Sequence, residues 1–277
     1  MAQLSAFADE VSESFLTQVQ FLNEQNIKFI EPRFINKQNI MQLDKNALQQ
    51  AKQILDDHGI GVSAIGSPIG KVKIDEDFSA HLDLFKHAAY LADFFETPFI
   101  RVFSYYPPEG KQIADYRDEV ISRMQQKCSL LENTKITMVH ENEANIYGHT
   151  AQNCVDMAEA VSNNHFKLAF DSANFVWGEQ ITDNITSCWP IMKPHVVHIH
   201  IKDWVIGAKV GSIPGQGDGQ IKELLTELAA MDYKGWMTME PHLEIGGQFG
   251  GSTTTQQFAQ AIEAVRTLAK EVNLTCD

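Results

Sequence analysis

Short β-rich runs alternate with longer amphipathic stretches along the chain, and this alternation limits the available folds more than any single motif does. The β-rich runs are LSAFA (4–8), KFIEP (28–32), GVSAI (61–65), FIRVFS (99–104), ITMVHE (136–141), KLAFD (167–171), HVVHIHI (195–201) and WMTME (236–240). Between them, SFLTQVQFLNEQ (14–25), HLDLFKHAAYLADFF (81–95) and IKELLTELAAM (221–231) carry apolar residues at three- and four-residue spacing, as a helix with one buried face requires. A last helical pattern, TTQQFAQAIEAVRTLAKEV, follows the eighth run. Strand then helix, repeated in this way, predicts a parallel sheet with helices outside it. At this length the natural closure is an α/β fold of the (β/α)8 TIM-barrel type, a single domain over residues 1–277. An open doubly wound sheet would prefer a glycine fingerprint after the first strand, and FADEVSES has none.

Composition narrows the function classes. Hydrophobic residues make up 44% of the chain, enough for a substantial core. The net charge of -14, with no lysine or arginine cluster, argues against a nucleic-acid partner. No apolar run is long enough to span a bilayer, so no membrane partner is expected. MAQLSAFADE lacks a basic region followed by an apolar stretch, so no signal peptide is expected and the location is read as cytoplasmic. The four cysteines, at 128, 154, 188 and 276, are too scattered for a zinc knuckle or a disulfide framework and read as reduced thiols.

In a (β/α)8 barrel the chemistry collects where strands end. The fifth run ends in His140-Glu141-Asn142, the sixth in Asp171, the seventh in His198-Ile199-His200 with Lys202-Asp203 beyond, and the eighth in Glu240-Pro241-His242. Four consecutive strands thus finish on an ionisable group. Burying several carboxylates together is costly, and a divalent cation removes that cost by making them ligands. Alternation puts His198 and His200 on one face, His200 at the rim and His198 one layer below. Each residue also has a plain structural reading: satisfied core histidines, a turn cap at Asp171, a strand exit before Pro241. Those readings together need four coincidences in register. PGQGDGQIKELL (214–225) is a flexible loop with Asp218 near a helix N-cap or a phosphate cradle, without the Walker lysine-hydroxyl pair. IGSPIGK (65–71) is a turn or a ligand contact, Arg101 a structural residue, and FSYYPP (103–108) a hydrophobic lid or a sugar-stacking surface.

At these residues the chain resembles the xylose isomerase-like TIM barrel superfamily, and within it the sugar phosphate isomerase/epimerase group. FADEVSESFLTQVQFLNEQNIKFIEPR, VSAIGSPIGKVKI, VHENEANIYG, FDSANFV, HIHIKD, IPGQGDGQIKELL and MEPHL look like its signature blocks in order. The resemblance implies one divalent metal ion held by Glu141, Asp171, His200 and Glu240. Manganese is the first expectation, with magnesium, cobalt and zinc as alternatives. It also implies a small-molecule sugar as substrate, and it allows a homo-oligomer. The superfamily's apurinic endonucleases, which hold three zinc ions, and its ketohexose 3-epimerases both carry a histidine where this chain has Asn174. Neither a trinuclear site nor the epimerases' own activity therefore transfers.

The expected function is metal-dependent sugar or sugar-phosphate isomerisation or epimerisation, by proton transfer through a metal-stabilised enediolate. Glu141 and Glu240 are then the catalytic acid/base pair and also ligands, while Asp171 and His200 are ligands alone. Asn174, His198, Lys202, His140 and Ser67 are the candidate substrate contacts. The alternatives are a metal-dependent keto-sugar or keto-inositol dehydratase or lyase, a phosphodiester hydrolase, and a non-catalytic sugar-binding protein.

Overall fold

The computed structural model describes residues 1–247 and 250–277. Eight parallel strands form the barrel: β1 (Gln3–Ala6), β2 (Phe29–Ile30), β3 (Gly61–Val62), β4 (Phe99–Val102), β5 (Thr137–Glu141), β6 (Phe166–Asp171), β7 (Val196–Ile201) and β8 (Trp236–Met239). Regular ladders join β4 through β8 and then β1, and another joins β2 to β3. Backbone bonds close the remaining gaps, from Glu31 N to Ala6 O at 3.0 Å and from Ile65 N to Phe99 O at 2.9 Å. The ladders of β1, β2 and β3 are shorter than their apolar runs. Pro32 has no N–H to donate, and after Val62 the third strand touches β4 only through the bridge between Ile65 and Ile100.

The helices alternate with the strands and begin where the sequence supplies a cap. Asp44 accepts the N–H of Ala47 ahead of helix Lys45–His58, Thr150 that of Asn153 ahead of Ala151–Val161, and Thr254 builds a capping box for Thr255–Glu271. The helix expected from residue 81 starts at Phe78, because Asp77 accepts the N–H groups of Ser79 and Ala80. A small antiparallel hairpin pairs Phe34–Ile35 with Gln38–Asn39. The outward face of the strands packs on the helices through residues such as Phe85, Phe170 and Phe258, all fully buried. Among the described residues no helix is long and apolar enough to cross a membrane. All four cysteines are free.

One irregularity sets the register of the rim. Between β6 and β7 the pairing slips at Leu168/Ala169, so that Ala169 faces His198 and Asp171 faces His200. On the other side, Thr238 of β8 also pairs with His200. Asp171, His200 and Thr238 therefore lie at one level, and Glu240 extends just past it.

Candidate active site at the barrel rim

Glu141, Asp171, His200 and Glu240 converge, each offering a ligand atom within 4.8 Å of the others, and all four are buried. β5 to β8 deliver them directly. Asp171 does two things at once: Oδ1 caps helix Ser172–Glu179 by accepting the N–H of Asn174 at 3.1 Å, and Oδ2 faces the cluster. Asn142 extends the sheet by bonding both the N–H and the carbonyl of Asp171.

Cations hold the acids. Arg33 donates to Glu240 Oε1 at 2.7 Å and to Asp9 at 2.9 Å. Arg101 donates to Glu141 Oε2 at 3.3 Å. Lys202 lies 2.9 Å from Asp171 Oδ2 and 3.2 Å from Glu240 Oε2. Burial pushes the Glu141 carboxyl up, but His200 and Arg101 outweigh it and hold the group at about 2. Glu240 is likewise pulled well below the usual carboxylate range, against its burial, by Lys202, His242 and Arg33. Asp171 is raised to about 6 by burial, with Lys202 opposing and the two glutamates adding to the shift. Burial disfavours the charged imidazole of His200, yet Glu141 and Glu31 raise it to about 10. Glu10, beneath His242, is raised to about 8 by burial.

The donor set fits a divalent cation. Glu31, Glu141, Asp171 and Glu240 lie buried together, and the protons that Glu10 and His200 hold at neutral pH offset part of the negative charge, as a bound cation would instead. Both ring nitrogens of His200 are buried without a hydrogen-bond partner, as is Asp171 Oδ2, which meets Lys202 only as an ion pair. Metal–ligand bonds of roughly 2.0–2.2 Å put opposed ligand atoms about 4.0–4.4 Å apart, within the observed spread. Three carboxylates and one imidazole are a hard donor set of the kind that suits manganese, magnesium or cobalt.

Above the cluster lies an open pocket, whose lining includes Glu141, Asn174, Lys202 and Glu240. Two of the five candidate substrate contacts, Asn174 and Lys202, reach it; Asn174 also donates to Glu141 Oε1 at 3.1 Å. The other three do not line it. His140 lies on the opposite face of β5, as strand alternation demands, and pairs with Ser104 Oγ at 2.9 Å. His198 sits one layer down, 2.8 Å from Glu31. Ser67 is turned onto the carbonyl of Arg101.

Several residues come to the site without having been singled out. Arg33, Glu143 and His242 line the pocket, and Arg101 faces it rather than merely supporting the fold; Gly66, Pro68 and Lys71 of the IGSPIGK stretch, read as a turn or a ligand contact, line it too. One sequence signal was available: EPR at 31–33 repeats the glutamate-proline strand exit of EPH at 240–242. The aromatic walls are Phe34, Trp177 and Trp204, with Trp177 at the mouth, 41% exposed. Phe103 and Tyr105 of the FSYYPP run are fully buried and do not line the pocket. The glycine-rich loop makes no phosphate cradle, because the N–H groups of Gly215, Gly217 and Gly219 all bond the Asp203 carboxylate. Asp218 accepts from Ile206 N, and the N-cap of helix Ile221–Ala230 is Gln220.

Fold and site together define a (β/α)8 barrel with an acid- and histidine-rich cluster at its C-terminal rim. The chain belongs to the xylose isomerase-like TIM barrel family, whose profile matches residues 19–271. It is 22% identical over 190 residues to a 3-dehydroshikimate dehydratase of Bacillus anthracis, a match covering 69% of this chain and 66% of that one. Among solved structures it superposes on a D-tagatose 3-epimerase-like protein with a TM-score of 0.78 at 12% identity, covering 98% of each chain. A 3-keto-D-glucoside 4-epimerase from E. coli gives a TM-score of 0.75 at 14% identity, covering 96% of this chain and all of that one.

Proposed function

We propose that the protein is a divalent-metal-dependent isomerase or epimerase of a sugar or a sugar-like carbonyl compound. The observation that carries this reading is the convergence of Glu141 and Glu240, from β5 and β8, with the fully buried Asp171 and His200, at a place where both glutamates line one pocket. Glu141, Asp171, His200 and Glu240 would hold the ion. A bound divalent cation supplies Lewis acidity, which makes a C–H next to a carbonyl easier to deprotonate.

Glu141 and Glu240 are ionised at neutral pH, so either can accept a proton from that carbon. A carboxylate held so low is a weak base, and the reaction therefore depends on the substrate C–H being acidified. Two such groups on different strands let a proton leave from one side and return from the other, or move to the neighbouring carbon. Lys202 uses two contacts on Asp171 and Glu240 and keeps a third N–H for a substrate oxygen. Trp177, Trp204 and Phe34 offer apolar walls for the ring or chain of a polyol.

A panel of keto- and aldo-sugars incubated in heavy water with added manganese tests the reading. The expected result is solvent deuterium on the carbon next to the carbonyl together with a new isomer. No exchange across the panel would sink it. The similarity to a dehydratase supports a second reading, in which the same abstracted proton is followed by loss of a hydroxyl. That outcome is distinguished by a dehydrated, conjugated product with new ultraviolet absorbance.

A further inference from the structure

The polar cluster continues inward from the rim. Glu31 leaves β2 directly before Pro32, is fully buried, and reaches under β7. Its Oε2 accepts from Thr238 Oγ1 at 2.9 Å, lies 2.8 Å from His198 Nε2 and lies 3.5 Å from His200 Nε2. On the other edge of the same ring, His200 Nδ1 lies 3.1 Å from Glu141 Oε1. Phe7 packs edge-on against that ring at 5.3 Å, which restricts its rotation. One nitrogen of His200 therefore looks into the cluster and the other looks at a carboxylate outside it.

A neutral imidazole has one N–H and one lone pair, and the partner of one nitrogen decides what the other can do. We propose that Glu31 is a positioning residue for the cation site: with an ion bound, its carboxylate would take the Nε2 proton of His200, which lies 3.5 Å away and unbonded without the ion, and so present the Nδ1 lone pair to the ion. This rests on the reading of His200 as a ligand given above. His198 and Thr238 hold the Glu31 oxygen in place, which accounts for the second histidine of VVHIHI. Removing such an outer carboxylate typically weakens metal binding roughly 10–100-fold.

The test is a manganese titration of the full chain, read by the electron paramagnetic resonance of free Mn2+. Four proteins are compared: wild type, Glu31→Gln, His200→Asn and the double variant. Glu31→Gln is expected to raise the Mn2+ Kd roughly 10–100-fold, and to add nothing further in the His200→Asn background. Wild-type affinity in Glu31→Gln, or an equal loss in both backgrounds, overturns the proposal. A His200→Asn protein that keeps wild-type affinity overturns the site reading itself. The nitrogen-15 spectrum of zinc-loaded wild type needs no folded variant at position 31: Nε2 of His200 must carry the proton, and a proton on Nδ1 overturns the assignment.

Discussion

Glu240 touches Arg33 at 2.7 Å and Lys202 at 3.2 Å, so Glu240→Gln removes the shared counter-charge of two buried cations and a proposed proton carrier together. Turnover is expected to fall roughly 10²–10⁴-fold with an unchanged far-ultraviolet circular dichroism spectrum. A variant with full activity would remove Glu240 from the mechanism. His81 gives a prediction away from the site. Its Nε2 accepts the N–H of Gly70, and burial, with Lys127 and Arg123 adding, pushes the imidazole down to about 3. An unfolded histidine titrates near 6.5, so between that pH and about 3 the unfolded chain binds the extra proton. Stability is thus full above 6.5 and lost as the pH falls, by up to about 1.4 kcal/mol per pH unit from this group. In His81→Gln the amide oxygen can still accept from Gly70, and the acid slope of unfolding free energy should flatten; an unchanged slope refutes the buried neutral imidazole. Glu141, Asp171, His200 and Glu240 were legible in the sequence because each follows an apolar strand directly. For Arg33 the sequence offered only the EPR echo of EPH, because its role depends on a partner 207 positions away.

Asp203 organises an element rather than a reaction. Its carboxylate accepts the N–H groups of Trp204, Gly215, Gly217 and Gly219 and thereby fixes both the glycine-rich loop and a wall of the pocket. Charged hydrogen bonds are worth about 1.5–3 kcal/mol each, so Asp203→Ala should cost roughly 3 kcal/mol or more by urea unfolding. It should also make the loop a new site of limited proteolysis. A protease pattern identical to wild type would show that the loop holds itself. A Cβ on Gly217 would stand 2.4 Å from Asp203 Oδ1, which explains the glycine there without any phosphate. Elsewhere the sequence signal was too weak to reveal an element. The hairpin at residues 34–39 turns through Asn36 and Lys37, with φ of 50° and 70°. A two-residue turn with both φ positive is normally marked by Asn-Gly. Here Asn36 is instead held by accepting the N–H of Phe15, a contact across the fold.

For the whole molecule, the buried cluster of Glu141, Asp171, His200 and Glu240 predicts that a cation stabilises the barrel. Adding Mn2+ at about 100 times its Kd to chelator-treated protein should contribute about 2.7 kcal/mol and raise the Tm by several degrees. An unchanged Tm would mean that Arg33, Lys202 and Arg101 already balance the cluster. The same site shows what is local and what is not. Periodicity and order of elements are local properties, and they determined by themselves a barrel whose late strands end on Glu141, Asp171, His200 and Glu240. Tertiary structure alone decided the slipped register that sets His200 level with Asp171, the ring closure that brings Arg33 onto Glu240, and the way His200 faces Glu141 with one nitrogen and Glu31 with the other. Strand alternation tells which side a residue faces, but which atom meets which partner depends on segments far away along the chain, and only packing brings those together.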